Sequence, residues 1–577
     1  MAAPFDRHHS IPYPQYPFDQ HAPRLPPVAH GYLAPQPMPS PSYHYAHPFP
    51  SSIPLASQPF NPRGPIAPGP SHRSYPAAQG PSGHASSSSG HSSHQPSPSR
   101  TPSGSRFPLE TSDRDTHIPN GGSSSKGVGK IDLGLQRMQS LMNLLSPLRI
   151  PAIHLAGTNG KGSVSAFLES VLRTAGLRVA RYNSPHLIEP RDAIALDGAP
   201  PPLADYNLVM DRVSNLSTEK GINATTFEIA TAAAYELIAA FKPDVMIIEC
   251  GMGGIGDATN VIPPDFVMAT ALTTVGLDHT AFLGETIEEI TAVKAGIAVP
   301  GGIAVIGPQI YNGVARIASR IAVDRGARVI IAERATVLGG AKPCLDLRSA
   351  THLPKRHIRV SRDDGNGFLD TELGLAGEHQ LDNVSVAVNV LCSIRQDERA
   401  RQLVPKLVKL THVTIATGIA STSWKGRCEF HRLTDPVNPD ALGMGVLVDG
   451  AHNADSATAL RRFIDDLKIL PSKKVTWIIS LSDSKGKTPE SVLKPLLSKG
   501  ERVFVTRFSP VAGMPWVQPV SLDVLSEIAK GITGKEALKR EGIADVIVEL
   551  QGWSEEERGL VVVAGSLYGV ADFYRLL

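Results

Sequence analysis

An α/β architecture in two unequal domains is predicted from three observations. Apolar runs such as "DVMIIECG" and "LVVVAGSLYG" alternate with amphipathic stretches of helical period. Those runs are continuously apolar rather than alternating, as expected of mostly parallel strands covered by helices on both faces. The pattern then lapses near "ATGIASTSWKGR" and restarts at "GVLVDGAHN". The expected organisation is a tail over residues 1–127, a central domain over 128–419 and a smaller C-terminal α/β domain over 420–577.

The tail is rich in Pro, Ser, His, Gly and Gln, as in "SGHASSSSGHSSHQPSPSR", and lacks spaced aliphatic residues, so it is expected to be disordered. Its histidines show no metal-ligand spacing. "IDLGLQRMQSLMNLL" (131–145) opens the folded part as a helix. "RIPAIHLAG" reads as a buried strand, a glycine-rich loop follows, and "SVSAFLESVLRTAG" reads as a helix stopped by Gly176. Next come a helix "TTFEIATAAAYELIAAF", strands "DVMIIECG" and "DFVMATALTTV", a helix "TIEEITAVKAGIA", strands "GIAVIG" and "RVIIA", and a helix "LDNVSVAVNVLCSI". In the last domain "GVLVDGAHN", "KVTWIISL", "ERVFVTRF" and "LVVVAGSLYG" read as strands, with helices such as "ADSATALRRFIDDL" between them. Strand, glycine loop and helix in that order make the central domain P-loop-type, and the last domain Rossmann-like.

Composition excludes several classes of function. Over 577 residues the formal net charge is +2, with Lys and Arg spread along the chain, so no nucleic-acid partner is expected. The four cysteines, Cys250, Cys344, Cys392 and Cys428, have no paired spacing; they argue against a disulfide framework or zinc site and read as core thiols in a reducing compartment. No apolar run reaches the roughly 18–20 residues of a membrane span, and "MAAPFDRHHS" lacks a secretory apolar stretch. A soluble, cytoplasmic protein is expected, with a mitochondrial location as the alternative because a Pro/Ser-rich extension can hide a weak transit signal.

The chemistry centres on "HLAGTNGKGSVSAFL" (154–168). Gly157, Gly160 and Gly162 allow turn conformations and close approach, so that the amides of Thr158, Asn159 and their neighbours can point at phosphate oxygens. Lys161 supplies a point charge, and the Ser163 hydroxyl can face a phosphate-bound Mg²⁺. The loop departs from G-x-x-x-x-G-K-[ST]: Leu155 stands at the first glycine position and Gly162 separates Lys from Ser. A chance glycine turn is the alternative, and the strand-loop-helix setting favours ATP.

In order along the chain, "HLAGTNGKGS", "NSPHL" (183–187), "ECGMGGIGDATN" (249–260), "GLDH" (276–279), "KAGI" (294–297), "GEHQ" (377–380), "WKGR" (424–427) and "DGAHN" (449–453) resemble the folylpolyglutamate synthase and dihydrofolate synthase family of Mur-ligase-like amide ligases. The resemblance runs from about residue 131 to the C-terminus. It implies that Ser184 and Glu249 bind the nucleotide's Mg²⁺ and that His279 binds a second one. Lys294, which on position alone reads as a helix-surface lysine, then matches a lysine carboxylated at its side-chain nitrogen. Asn383, Arg427 and Asp449 match further ATP contacts, and His452 and Ser566 the glutamate side. Dihydropteroate contacts map onto Gly134, Leu135, Gln136 and Arg137, onto Thr225, Thr226, Phe227 and Glu228, and onto Asp257 with its neighbours Gly256 and Ala258. One departure stands out: Ile255-Gly256 replaces the Arg-Leu of many members, which removes a cation near the substrate.

The reaction implied is ATP-driven ligation of an acid to an amino acid: phosphoryl transfer to a carboxylate, then attack by the amine of L-glutamate. Lys161, Glu249, His279 and Lys294 are the expected catalytic group, with ATP and Mg²⁺ as cofactors. "LGLQRM" and "TRFSPVAGMPW" (506–516) look more like monofunctional eukaryotic dihydrofolate synthases than polyglutamylating relatives. A folylpolyglutamate synthase acting on tetrahydrofolate, or a bifunctional enzyme, is the alternative. A catalytically inactive ATP-binding protein and a generic nucleotide hydrolase are alternatives of other classes. The partners expected are small molecules only, with no nucleic acid and no membrane, and a monomeric state.

Overall fold

Continuous apolar segments build two large, mostly parallel sheets. The computed structural model describes residues 134–339, 343–363, 365, 367–433, 443–471, 473–483 and 488–577. The expectations for the tail and for residues 131–133 lie outside them. The opening helix is Gln136–Met142, shorter than its apolar pattern, because Ser146-Pro147 follows closely and the chain turns into the first strand.

The first sheet holds β1 (Ala152–Ala156), β2 (Val179–Tyr182), β3 (Ile194–Leu196), β4 (Val245–Glu249), β5 (Val267–Leu272), β6 (Ile303–Ile306) and β7 (Arg328–Ile331), in the order β3-β2-β4-β1-β5-β6-β7. All neighbours pair in parallel except β2 with β3. Successive residues serve opposite faces. Val245 and Ile247 join one core with Val164, Phe167 and Leu168 of the helix Lys161–Thr174, and Met246 and Ile248 join another with Ala233 and Tyr235 of the helix Thr226–Phe241. Each fully buried side chain of this size contributes about 1.5–3 kcal/mol, so covering both faces is the main source of stability.

Three short strands, β8 (Thr336–Val337), β10 (Arg356–Ser361) and β11 (Phe368–Leu373), form an antiparallel sheet that the sequence reading did not anticipate. Their alternating pattern of buried and exposed residues gives no continuous apolar run. β9 (Cys344–Asp346) pairs instead with β14 (Lys468–Leu470).

The second large sheet holds β12 (Glu429–Arg432), β13 (Gly445–Val448), β15 (Val475–Ile479), β16 (Arg502–Thr506), β17 (Leu538–Arg540) and β18 (Leu560–Ala564), in the order β12-β13-β18-β15-β16-β17. Only the edge strand β12 is antiparallel to its neighbour. Cys250, Cys392 and Cys428 are buried, but Cys344 is exposed on β9 and is not a core thiol. Among the described residues no helix is long and apolar enough to cross a membrane.

Candidate active site

In the first sheet β1 lies between β4 and β5, so three loops meet at the carboxyl ends of neighbouring strands, the place where open α/β sheets bind ligands. The loop after β1 has φ values of 147° at Gly157 and 95° at Gly160, which side-chain-bearing residues rarely adopt. Space is closed as well: a Cβ would lie 1.9 Å from Thr273 Oγ1 at Gly157 and 2.2 Å from Asn383 Oδ1 at Gly160. Contrary to expectation the amides of Thr158 and Asn159 are not turned to a phosphate, because they donate to the Thr274 carbonyl at 2.8 and 3.2 Å, and Thr273 Oγ1 donates to the Asn159 carbonyl at 2.7 Å. These bonds fix the loop, and the first-turn amides at Lys161–Ser163 are left to face an anion, because the helix has no side-chain cap.

Two lysines converge on one carbonyl. Lys161 Nζ donates to Gly157 O at 3.0 Å and lies 3.6 Å from Glu249 Oε1 at the end of β4. Lys294 Nζ, on the helix Ile287–Ala295, donates to the same Gly157 O at 3.1 Å. Lys294 is only 3% exposed, so it is not a helix-surface residue. The loop of "ECGMGG" covers that helix so closely that a Cβ at Gly254 would lie 2.8 Å from Lys294 O. Burial, helped by the charge of Lys161, pushes the Lys294 ammonium down to about 8.

Ser184 Oγ is buried and has no hydrogen-bond partner. Its residue lines, with Glu249, Arg181, Trp424 and Arg427, a cavity of about 750 Å³. A second cavity, of about 290 Å³, brings together His279, His452 and Ser566.

Two relatives match this chain over nearly their whole length. It is 30% identical to the dihydrofolate synthetase of Saccharomyces cerevisiae over 457 residues, covering 77% of this chain and 98% of the relative. It is 31% identical to the probable dihydrofolate synthetase of Schizosaccharomyces pombe over 449 residues, covering 78% and 99%. A family model described as the dihydrofolate synthetase C-terminal domain matches residues 438–576. The chain belongs to the dihydrofolate synthase and folylpolyglutamate synthase family. Its fold is similar to that of Mycobacterium tuberculosis folylpolyglutamate synthase complexed with ADP and AMPPCP, with a TM-score of 0.62, 26% identity, and coverage of 77% of this chain and 95% of that one.

In this family member the remaining candidates fall into clusters. Asn383 abuts Gly160 and donates to Gln380 Oε1 at 2.9 Å, and Gln380 Nε2 donates to Ser163 Oγ at 3.2 Å. Asp449 is more than a turn residue: buried at the end of β13, it accepts from the amides of Cys428 and Ala451, each at 2.8 Å. Arg427 lies against the next residue, its Nη1 2.6 Å from where a Gly450 Cβ would stand. His452 Nδ1 is 2.8 Å from the Gly450 carbonyl, and Ser566 caps the helix Leu567–Tyr574. Asn453 Nδ2 donates to Asn159 Oδ1 at 3.1 Å, joining "DGAHN" to the glycine loop.

On the other side of β4, Thr225 and Glu228 form a capping box on the helix Thr226–Phe241, and Arg137 Nε donates to Glu228 Oε2 at 3.0 Å. That bond brings the Gly134–Arg137 and Thr225–Glu228 stretches together. The Phe227 ring fills the space beside Gly251, where a Cβ would lie 2.3 Å from it. Asp257 is 2% exposed, with one oxygen taking the Met252 amide at 2.7 Å and the other the Thr259 amide at 3.0 Å; its carboxylate is turned to the loop's own amides, and burial raises its pKa. His154 braces the loop from below, with Nε2 2.9 Å from Thr259 Oγ1, and burial lowers it to about 4, so it is neutral. His279 starts a short helix in left-handed conformation, with φ 54°, and its amide donates to Asp278 Oδ1 at 2.8 Å.

Sequence reasoning missed Glu169, Arg181, Asn183, Gln380 and Trp424 as parts of this site. Asn183, Gln380 and Trp424 stood inside the quoted motifs "NSPHL", "GEHQ" and "WKGR", and only their placement gives them a role.

Proposed function

We propose that this chain is an ATP-dependent dihydrofolate synthase that joins dihydropteroate to L-glutamate. The observation that carries the reading is the meeting of Lys161, Glu249 and Lys294 at the Gly157 turn, in a chain that covers nearly the whole length of two dihydrofolate synthetases. ATP transfers its γ-phosphoryl group to the dihydropteroate carboxylate, breaking the bond to the β-phosphate and forming an acyl phosphate. The glutamate amine then attacks the acyl carbon, phosphate leaves, and the amine loses a proton. The protein acts mainly by holding charge and geometry: first-turn amides and Lys161 stabilise the transferring oxygens, and no protein nucleophile is required.

The buried and unpartnered Ser184 Oγ and the Glu249 carboxylate are oxygen donors lining one cavity, a set that suits Mg²⁺. Among the described residues no group of three or more Asp, Glu, His or Cys side chains could hold a metal ion. When bound, Mg²⁺ supplies charge neutralisation at the phosphates. Ser184, Glu249 and Ser163 would hold it on the ATP side. Lys294, with its lowered pKa, is suited to adding CO₂ at Nζ, and His279 lies near the second cavity. That cavity also receives the starts of two helices, capped by Ser566 and Thr488, an arrangement favourable to a carboxylate of the incoming glutamate.

The test supplies the full chain with Mg²⁺-ATP, L-glutamate and either dihydropteroate or tetrahydrofolate, and reads the amide products by mass spectrometry. Product from dihydropteroate is expected. Product from tetrahydrofolate alone would make the chain a folylpolyglutamate synthase, and none from either would leave an ATP-binding protein without ligase activity.

A further inference from the structure

A buried polar chain runs from Glu169, on the helix Lys161–Thr174, through Arg181 and Asn183 to Glu249, and its first three members have no place in the proposed reaction. Arg181, on β2, is 7% exposed and its Nε donates to Glu169 Oε2 at 2.6 Å; Glu169, on the helix Lys161–Thr174, is also 7% exposed. Arg181 Nη1 donates to Asn183 Oδ1. Asn183 Nδ2 donates to Glu249 Oε2 and, at 2.8 Å, to Ser165 Oγ. The other Glu249 oxygen faces Lys161 at 3.6 Å.

The order of donors and acceptors along this chain is directional. An asparagine amide has one accepting end and one donating end, and arginine has only donors. Arg181 therefore binds the oxygen end of Asn183 and turns the NH₂ end to Glu249. Without Arg181 the amide can turn over, and a carbonyl oxygen would then face a carboxylate oxygen. Repulsion would swing the Glu249 carboxylate out of its present plane.

Arg181 is itself held on two sides. Glu169 neutralises it within the core, and its guanidinium stacks 4.3 Å from the centre of the Trp424 ring. The same indole touches the glycine loop, since a Cβ at Gly162 would lie 3.0 Å from Trp424 Nε1. One aromatic side chain thus contacts both the anion-binding loop and the arginine that orients its acidic partner.

We propose that Arg181 is a positioning residue that, through Asn183, fixes the Glu249 carboxylate for the nucleotide-bound metal, with Glu169 and Trp424 holding Arg181 in place. This rests on the reading that Glu249 meets that metal. Partners that orient metal ligands in this way typically change metal affinity by about 10–100-fold when removed.

The test measures ATP binding to the full chain by calorimetry with and without Mg²⁺, and Mn²⁺ binding in the presence of ATP by electron paramagnetic resonance. The double variant Glu169→Gln with Arg181→Met removes the anchor without leaving a buried charge unpaired, and Asn183→Leu breaks the next link of the chain. Metal-free ATP affinity is expected to stay within about twofold of wild type, because Lys161 and the helix amides are intact. The tightening caused by metal, and the Mn²⁺ affinity, should fall at least about tenfold in both variants. Retention of wild-type metal tightening by either variant, folded by circular dichroism, overturns the proposal. If metal does not tighten ATP binding even in wild type, it is the metal role of Glu249 that fails.

Discussion

Lys294 offers the most quantitative prediction. Burial first, and Lys161 second, bring its ammonium from the ordinary 10.5 to about 8. At pH 7.5 about a quarter of Lys294 is then the neutral amine, against about one part in a thousand for an ordinary lysine. Only the neutral amine attacks CO₂, forming a nitrogen–carbon bond and releasing a proton. Protein depleted of CO₂ should therefore lose activity and regain it when CO₂ returns. At fixed dissolved CO₂ the rate of recovery should fall about tenfold per pH unit below pH 8 and level off above it. A tenfold slope that continues towards pH 10, or activity indifferent to CO₂ depletion, would refute the reasoning. The same shift has a consequence for stability. The folded-state pKa is depressed, so the cost of burying the ammonium is fully present below about pH 8 and fades as pH rises towards 10.5. At about 1.4 kcal/mol per pH unit that cost is about 3 kcal/mol, of which the lost bond to Gly157 O returns about 1 kcal/mol on substitution. Lys294→Met should be inactive yet more stable than wild type by about 2 kcal/mol at pH 7 in CO₂-free urea unfolding, with the advantage shrinking by pH 10.

Three further substitutions separate the parts of the site. Lys161→Ala should abolish turnover in a coupled phosphate-release assay while leaving the circular dichroism spectrum unchanged, because its bonds go only to neighbouring loop carbonyls and Glu249. Gly160→Ala combines a φ of 95° with a Cβ only 2.2 Å from Asn383 Oδ1, so ATP affinity measured by calorimetry should drop more than about tenfold. Asn453→Ala removes a helix cap and the bond to Asn159; stability should fall by about 1 kcal/mol in denaturant titration and the KM for ATP should rise, with little change in the KM for dihydropteroate.

Much of the fold was legible because its signals are local. The strand "DVMIIE" is apolar at every position since helices cover both faces of β4, and the glycine loop is readable because φ values at Gly157 and Gly160 demand glycine. The small antiparallel sheet β8-β10-β11 was not legible. Buried residues in β10 and β11 are separated by exposed or half-buried ones, and β8 has only two residues, both exposed. The antiparallel edges β3 and β12 were missed for a related reason: with three and four residues, IAL and EFHR, neither is long enough for a strand pattern to stand out.

The site divides along the same line. Lys161 and Glu249 could be placed from sequence because Glu249 ends an apolar strand and Lys161 opens the helix that follows the glycine loop after another. The burial of Lys294 could not, because it comes from the "ECGMGG" loop folding over a helix some forty positions later, with Gly254 pressed against the Lys294 backbone. Arg181 was hidden in "VARY", where a charged residue in a central strand is a fault unless something far away neutralises it. That neutralising group is Glu169, twelve residues earlier on a helix, and the flat face that completes its shelter is Trp424, more than two hundred residues later. A charge in a buried strand is therefore a signal in its own right. Its burial cost must be offset by partners, and here those partners lead directly to the acidic residue at the centre of the site.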